Sequence, residues 1–231
     1  MKKFVAFCLS FMVVVLCVAW VKAAEETAKS PKNDIVVVLD AGHGGIDGGV
    51  TGVKTGVKES ELNLKICKKL KKSLEKSGIK VVMTRTDEGG LYGSPTNGFK
   101  KRDMLARKKI INGSNADCFV SVHINYYSSP SRRGAQAFYK ENDDECERFA
   151  GVIQKYLDTL GGQPRPLTPL AGDYYVLNEA EPPAALVECG FLSNEEDEKL
   201  LLTEAYRKEI AEKIADGIVE YLFFETKTAA N

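Results

Sequence analysis

The amino-acid sequence predicts an α/β fold: a single domain built on a mixed, mostly parallel twisted sheet with helices on both faces. Two observations carry this. Runs at 35–39, 118–122 and 184–187 are apolar with almost no polar alternation, the pattern of strands buried on both faces. Between such runs lie longer segments with apolar residues three and four apart, the period of amphipathic helices, so strand and helix signals alternate along the chain.

The elements follow in order. Residues 1–23 open with Lys2 and Lys3, stay apolar from Phe4 to Trp20 and end on Val21 and Ala23 before Glu25 and Glu26. They read as a secretory signal cleaved after Ala23, or as an uncleaved anchor, because the run is near a bilayer-spanning length. The large Leu16 beside Cys17 argues against lipidation. A polar linker at 24–33 precedes the folded domain expected at 34–224, and 225–231 is a tail. Within the domain, 35–39 is the first strand. Segment 61–77 is a helix with Leu62, Ile66, Leu70 and Leu74 at every fourth position, Ser60 as N-cap and Gly78 as the stop. Strand 79–83 follows, then a glycine-rich loop at 87–98, with Pro95 and Asn97, long enough to border a functional site. Segment 101–112 is helical, and 118–122 and 134–139 are strands. Segment 143–160 is a helix with Phe149, Ile153, Tyr156 and Leu160 on its apolar face. Pro164, Pro166 and Pro169 make 161–172 a loop, 184–187 is a strand, and 204–223 is a closing helix with Ile210, Ile214, Ile218 and Leu222 inward.

Charge excludes one class of partner. The 231 residues hold 32 Lys and Arg against 32 Asp and Glu, a net charge of zero. Residues 1–23 contain three lysines and no acids, so the remainder carries a formal −3 and lacks a nucleic-acid footprint. The lysines at 65–72 alternate with apolar residues at helical spacing and form a solvated helix face. About 200 residues beyond the leader suit one domain with a substantial core. The cysteines beyond the leader, Cys67, Cys118, Cys146 and Cys189, form no C-x-x-C pair, and three sit in apolar periodic segments. They are expected as small buried hydrophobes and not as a disulfide framework.

The sequence holds two histidines. His43 follows the first strand in VVVLDAGHGG, and His123 ends the run CFVSVHIN. Side chains at the carboxyl ends of adjacent parallel strands converge on one crevice, and imidazole is a common zinc ligand. A lone histidine is more often structural, but two matching strand-end contexts favour a metal site. Gly42, Gly44, Gly45, Gly48 and Gly49 let the chain turn sharply around His43. They match neither G-x-G-x-x-G nor G-x-x-x-x-G-K-[ST], which argues against nucleotide binding. A hydrolytic zinc takes three protein ligands, and Glu59, just before the first helix, is the candidate third. Its alternative role is to complement that helix's positive end. Glu188, closing the buried run 184–187, is the candidate proton carrier, with a buried salt bridge as the other reading.

The blocks VVLDAGHGGIDGG, GVKESELNL, MTRTDE, FVSVHIN, GAQAFY and PAALVECGFLSNEED, in this order, resemble the zinc-dependent N-acetylmuramoyl-L-alanine amidases of bacterial walls. The likeness runs from about Ile35 to Tyr221. It implies that His43, Glu59 and His123 bind zinc and that Glu188 is catalytic. Arg107 and Asn112 match a helix that supports the site. Ala41 stands where the family often has proline, and Cys189 falls at a variable position; neither touches the chemistry. The resemblance implies hydrolysis of the amide between muramic acid and the L-alanine of the stem peptide. It is nearest the branch acting on spore cortex, where stem-peptide removal precedes muramic δ-lactam formation. No room for a wall-targeting module is evident, so an exported partner that recruits or activates the enzyme is expected. A membrane would be met only through an uncleaved leader. A zinc-dependent wall carboxypeptidase or deacetylase and a non-catalytic wall-binding module are the rival readings; a glycosidase leaves both histidines unexplained. Tyr126, Tyr127, Arg132 and Arg133, just past His123, contact either substrate or solvent.

Overall fold

In the computed structural model, which describes residues 34–225, Val36–Ala41 forms β1, and all six of its residues are buried. Such burial requires helices on both faces of the sheet. Alternate residues divide between the two sides. The remaining strands are β2 (Lys80–Met83), β3 (Cys118–Asn125), β4 (Gln136–Tyr139), β5 (Leu170–Ala171) and β6 (Ala184–Phe191), in the order β2-β1-β3-β6-β4-β5. β2, β1, β3 and β6 run parallel, β4 is antiparallel to β6, and β5 is parallel to β4. This is the mixed, mostly parallel sheet the sequence predicts.

The helices are α1 (Glu59–Lys76), α2 (Phe99–Gly113), α3 (Asp144–Leu157), α4 (Tyr175–Asn178), α5 (Glu195–Leu202) and α6 (Glu204–Glu220), the last continuing into a π-helical turn, Tyr221–Glu225. Val37, Leu39, Val120, Val122 and Val187 share one core with Ile66 and Leu70 of α1, Phe149 of α3 and Ile214 of α6. The other face places Val38, Phe119 and Leu186 against Ile111 of α2 and Val176 and Leu177 of α4. Each fully buried aliphatic side chain of this kind contributes about 1.5–3 kcal/mol.

Several boundaries differ from the sequence expectation for local reasons. α1 starts at Glu59, with Ser60 inside it and Lys58 at the N-cap making no side-chain cap bond. Its first free N–H groups are instead met by loop carbonyls, Glu59 N to Val50 O at 2.9 Å and Ser60 N to Gly48 O at 3.1 Å. α3 stops at Leu157, yet Leu160 stays buried in the core after the turn. β3 and β6 extend past 122 and 187 because each is paired along its length, with a register shift between His123 and Asn125. The short elements β5, α4 and α5 were not anticipated. α5 did carry a local signal: the Asn194 side chain accepts from the N–H groups of Glu196 and Asp197, and Glu195, Glu196, Asp197 and Glu198 fill the first turn.

Cys67, Cys118, Cys146 and Cys189 are buried and unpaired, as expected. The leader at 1–23, the linker at 24–33 and the tail beyond 225 lie outside the described residues. Among the described residues no helix is long and apolar enough to cross a membrane.

Candidate metal centre

Because β1, β3 and β6 are parallel neighbours, their carboxyl ends emerge on one side. His123 lies opposite Glu188, and Asp40 opposite Ser121. Paired residues on adjacent strands direct side chains to the same face, here the face covered by α2 and α4. β1 then releases the chain into Gly42 and His43. His43 holds a left-handed φ of 61°, a conformation costly for a residue with a Cβ. Gly42 has to be glycine, since a Cβ there would stand 2.2 Å from the His123 ring.

The structure brings the three sequence-predicted ligands together. One atom each of His43, Glu59 and His123 can be chosen so that all lie within 4.8 Å of one another. Glu59 Oε1 is 3.3 Å from His43 Nε2 and 2.9 Å from His123 Nδ1. The two rings stand edge to face, with centroids 5.0 Å apart. Glu59 itself is 2 % exposed. Its Oε2 accepts from the N–H of Val50 (2.9 Å), and its Oε1 from the N–H of Ile124 (3.2 Å) and from Asn63 Nδ2 (3.1 Å). Burial opposes the Glu59 charge, but the His123 and His43 rings hold its carboxyl far below the usual range. His43 is likewise disfavoured as a cation by burial, yet the Asp47 and Glu59 carboxylates push it up to about 9. Two imidazoles and a buried carboxylate around one point form a donor set that fits a divalent ion.

Glu188 is 6 % exposed, and among the described residues its Oε2 has no hydrogen-bond partner. Burial, opposed by His123 and reinforced by Glu59, pushes its pKa up to about 7. A carboxyl tuned near neutrality, with one oxygen free, is suited to carry a proton in either direction. Beside the imidazoles opens a cavity of about 250 Å³ whose lining includes Tyr92, Phe99, Met104, Tyr174 and Leu186. The 87–98 loop does edge the site: Tyr92 Oη accepts from the N–H of Ile46 (2.8 Å), and the carbonyl of Glu88 from that of Gly45 (2.7 Å).

Three supporting residues escaped sequence reading. Asp47 Oδ2 lies 3.0 Å from His43 Nδ1, so it orients the ring with Nε2 toward Glu59. Arg85 donates through Nε to the Ala41 carbonyl (2.8 Å) and through Nη2 to the carbonyls of Gly42 (3.0 Å) and Ser60 (2.8 Å). Asp40 receives Thr84 Oγ1 (2.6 Å) and Ser121 Oγ (2.7 Å) and pairs with Arg107 Nη1. Arg107, flagged from the sequence as a support, also donates to the carbonyls of Ala41 (3.0 Å) and His43 (2.7 Å). The two arginines therefore grip three consecutive carbonyls of the strained His43 turn. Asn112 serves elsewhere, bonding the carbonyl of Glu179 (2.9 Å) and the N–H of Glu181 (3.1 Å) ahead of β6. The one available signal was Asp40, a charge in the middle of an apolar strand, which demands a partner.

A family described as N-acetylmuramoyl-L-alanine amidase matches residues 37–220. The germination-specific N-acetylmuramoyl-L-alanine amidase of Bacillus subtilis is 32% identical over 226 residues, 95% of this chain and 94% of the relative. The CwlD amidase of Clostridioides difficile, solved in complex with the GerS lipoprotein, superposes with a TM-score of 0.78 at 36% identity, covering 82% of this chain and 98% of that one. The catalytic domain of CwlV, an amidase of Bacillus (Paenibacillus) polymyxa, gives 0.72 at 33% identity over 81% of this chain and 98% of that one.

Proposed function

We propose that this chain, which belongs to the N-acetylmuramoyl-L-alanine amidase family, binds zinc through His43, Glu59 and His123 and uses Glu188 as its proton carrier. As an amidase it hydrolyses the bond between muramic acid and the L-alanine of the stem peptide. The observation that carries the site assignment is the meeting of two imidazoles and one carboxylate within 4.8 Å, next to a buried carboxyl with a free oxygen. Bound zinc would supply Lewis acidity, acidifying water to a pKa of about 7 and polarising the amide carbonyl. The protein's own groups do the rest. Glu59, held by Val50, Ile124 and Asn63, and His43, held by Asp47, keep the donor set in place. Glu188 takes the proton of the attacking water and delivers it to the nitrogen of the departing alanine.

The likeness to a germination-specific amidase and to CwlD supports action on spore cortex, where removal of stem peptides precedes muramic δ-lactam formation. CwlD was solved with a lipoprotein, which supports an exported protein partner here too. Residues 34–224 then form the catalytic domain and 1–23 the segment that directs or anchors it outside the cytoplasm, with 24–33 as linker and 225–231 as tail.

The test is digestion of defined muropeptides with and without a chelator, read by mass spectrometry. Free stem peptides beginning with L-alanine, acetylated glycan and recovery of activity on zinc addition are expected. Loss of a terminal amino acid or of acetate instead would replace the amidase with a carboxypeptidase or deacetylase. A Glu188→Ala protein is expected to retain zinc and lose most turnover, and near-parent cleavage by it would remove Glu188 from the mechanism.

A further inference from the structure

Two arginines stand side by side past His123, and their surroundings differ. Arg133 is engaged by acids, pairing through Nη1 with Glu196 and through Nε with Asp197 Oδ1 at 3.4 Å. Arg132 is exposed and, among the described residues, pairs with no carboxylate. Its guanidinium lies over the rings of Tyr127 and Phe191, at 5.6 and 5.9 Å from their centroids. The only hydrogen bond of the guanidinium among the described residues is a long one, Nη2 to Gln136 Oε1 at 3.3 Å. Gln136 is 4 % exposed, donates through Nε2 to the Thr168 carbonyl (2.8 Å), and lies directly opposite Glu188 in the β4–β6 pair. Arg132 is thus tied to the same row across the sheet that holds His123 and Glu188.

The loop that presents Arg132 is anchored on both sides of it. The N–H of Tyr127 donates to Ser193 Oγ (3.0 Å), Asn194 Nδ2 to the Pro130 carbonyl (2.6 Å), and the N–H of Gly134 to Asp197 Oδ2 (2.8 Å). A cation stacked on aromatic rings and fixed by its loop loses little freedom on binding, while the edge of its N–H fork stays open to a two-oxygen acceptor.

We propose that Arg132 is a specificity residue that binds a carboxylate on the peptide side of the cut bond, within about two residues of the departing nitrogen. The inference rests on the amidase reading of the Glu188 site. Geometry and chemistry choose the ligand. Neighbouring strands lie about 4.8 Å apart, so Gln136 stands roughly 5 Å from Glu188 and the guanidinium one hydrogen bond further. An extended peptide rises about 3.3–3.6 Å per residue, so a carboxylate on the second residue lies roughly 7 Å from the departing nitrogen, a span of the same order. The sugar side offers no such group, because the lactyl carboxyl of muramic acid is the acyl half of the amide being cut. Planar, bidentate recognition of a carboxylate is what an open guanidinium fork provides.

The test uses the full zinc-loaded chain and two synthetic muramoyl peptides that differ only at the second stem residue, one with a free carboxylate and one with a carboxamide. Peptide release gives kcat and KM for each. The parent is expected to show the lower KM on the carboxylate substrate. Arg132→Ala should raise that KM by roughly ten- to a hundredfold, the range of a charge-assisted hydrogen bond. It should leave kcat and the carboxamide KM within about twofold, and Arg132→Lys should fall between parent and Arg132→Ala. Equal KM values for the two substrates in the parent, or an equal change on both in Arg132→Ala, would overturn the assignment of Arg132 alone. A parent that cuts neither substrate would overturn the amidase reading itself, and the inference with it.

Discussion

Replacing Arg107 by alanine tests the claim that the His43 turn is held by buried charge. Arg107 is fully buried and reaches four acceptors: Asp40 Oδ1, Asp103 Oδ2 (2.5 Å), and the carbonyls of Ala41 (3.0 Å) and His43 (2.7 Å). Without it, Asp40 keeps only the hydroxyls of Thr84 and Ser121, and the Ala41 carbonyl keeps Arg85. Removing one partner of a buried ion pair costs about 3–5 kcal/mol, and two carbonyls that lose a charged donor place the variant at the upper end. The expected loss is therefore about 4–5 kcal/mol by denaturant unfolding of the metal-free protein at pH 7, a large share of a typical domain's stability. Burial alone would raise the Asp40 pKa, but Arg107, Thr84 and Ser121 outweigh it and the net shift is downward. A carboxyl depressed in the folded state contributes stability above its unfolded pKa, near 3.9, and that stability is lost as pH falls through the folded value. In Arg107→Ala burial acts with less opposition, so Asp40 is costly when charged and protonation relieves it. The gap between parent and variant should narrow from pH 7 toward pH 4, and Asp40→Asn combined with Arg107→Ala should lose less than the two single losses added. A loss below about 1 kcal/mol, or one that neither pH nor Asp40→Asn alters, would refute the reasoning.

The remaining predictions are local. Glu188→Gln should keep stoichiometric zinc by metal analysis while kcat falls about 10²–10⁴-fold, the usual worth of a positioned proton carrier. Asp47→Ala frees His43 Nδ1, 3.0 Å away in the parent, and should weaken zinc binding about 10–100-fold in a competition titration. Gly42→Ala puts a Cβ 2.2 Å from the His123 ring, so it should displace that imidazole and abolish stoichiometric zinc binding while far-UV circular dichroism stays unchanged. Gly217→Ala, remote from the site, would bring a Cβ to 2.9 Å from the Ile153 Cα where α6 crosses α3. The neighbour is a backbone atom that cannot swing away, so overpacking of about 2–3 kcal/mol outweighs the gain of roughly 1 kcal/mol in helix propensity, and unfolding should show a net loss of about 1–2 kcal/mol with activity at parent level.

Much of the molecule was legible because two short periods govern it. The apolar runs of β1, β3 and β6 and the fourfold spacing of Leu62, Ile66, Leu70 and Leu74 each state which surface of an element must be covered. The turn at His43 was readable from its glycines, and both histidines from their places at strand ends. Where the pattern was weak, boundaries slipped. Ser60 looked like a cap, but the carbonyls of Gly48 and Val50 had already met the first N–H groups of α1, a fact of loop folding with no local signature.

Sequence by itself determined the fold class and the buried faces, and it singled out His43, Glu59 and His123 as candidate ligands and Glu188 as candidate proton carrier. Only the tertiary structure decided that one oxygen of Glu59 would stand between the two rings, that Asp47 would turn His43, that Arg85 and Arg107 would clamp the turn, and that Arg133 would be tied by acids while Arg132 stayed open. The physical reason is separation. Hydrophobic periodicity is written within a turn or two of chain, whereas Glu59 meets His123 across 64 positions and Arg107 meets Asp40 across 67. Contacts of that span arise only once the sheet has set its strand order.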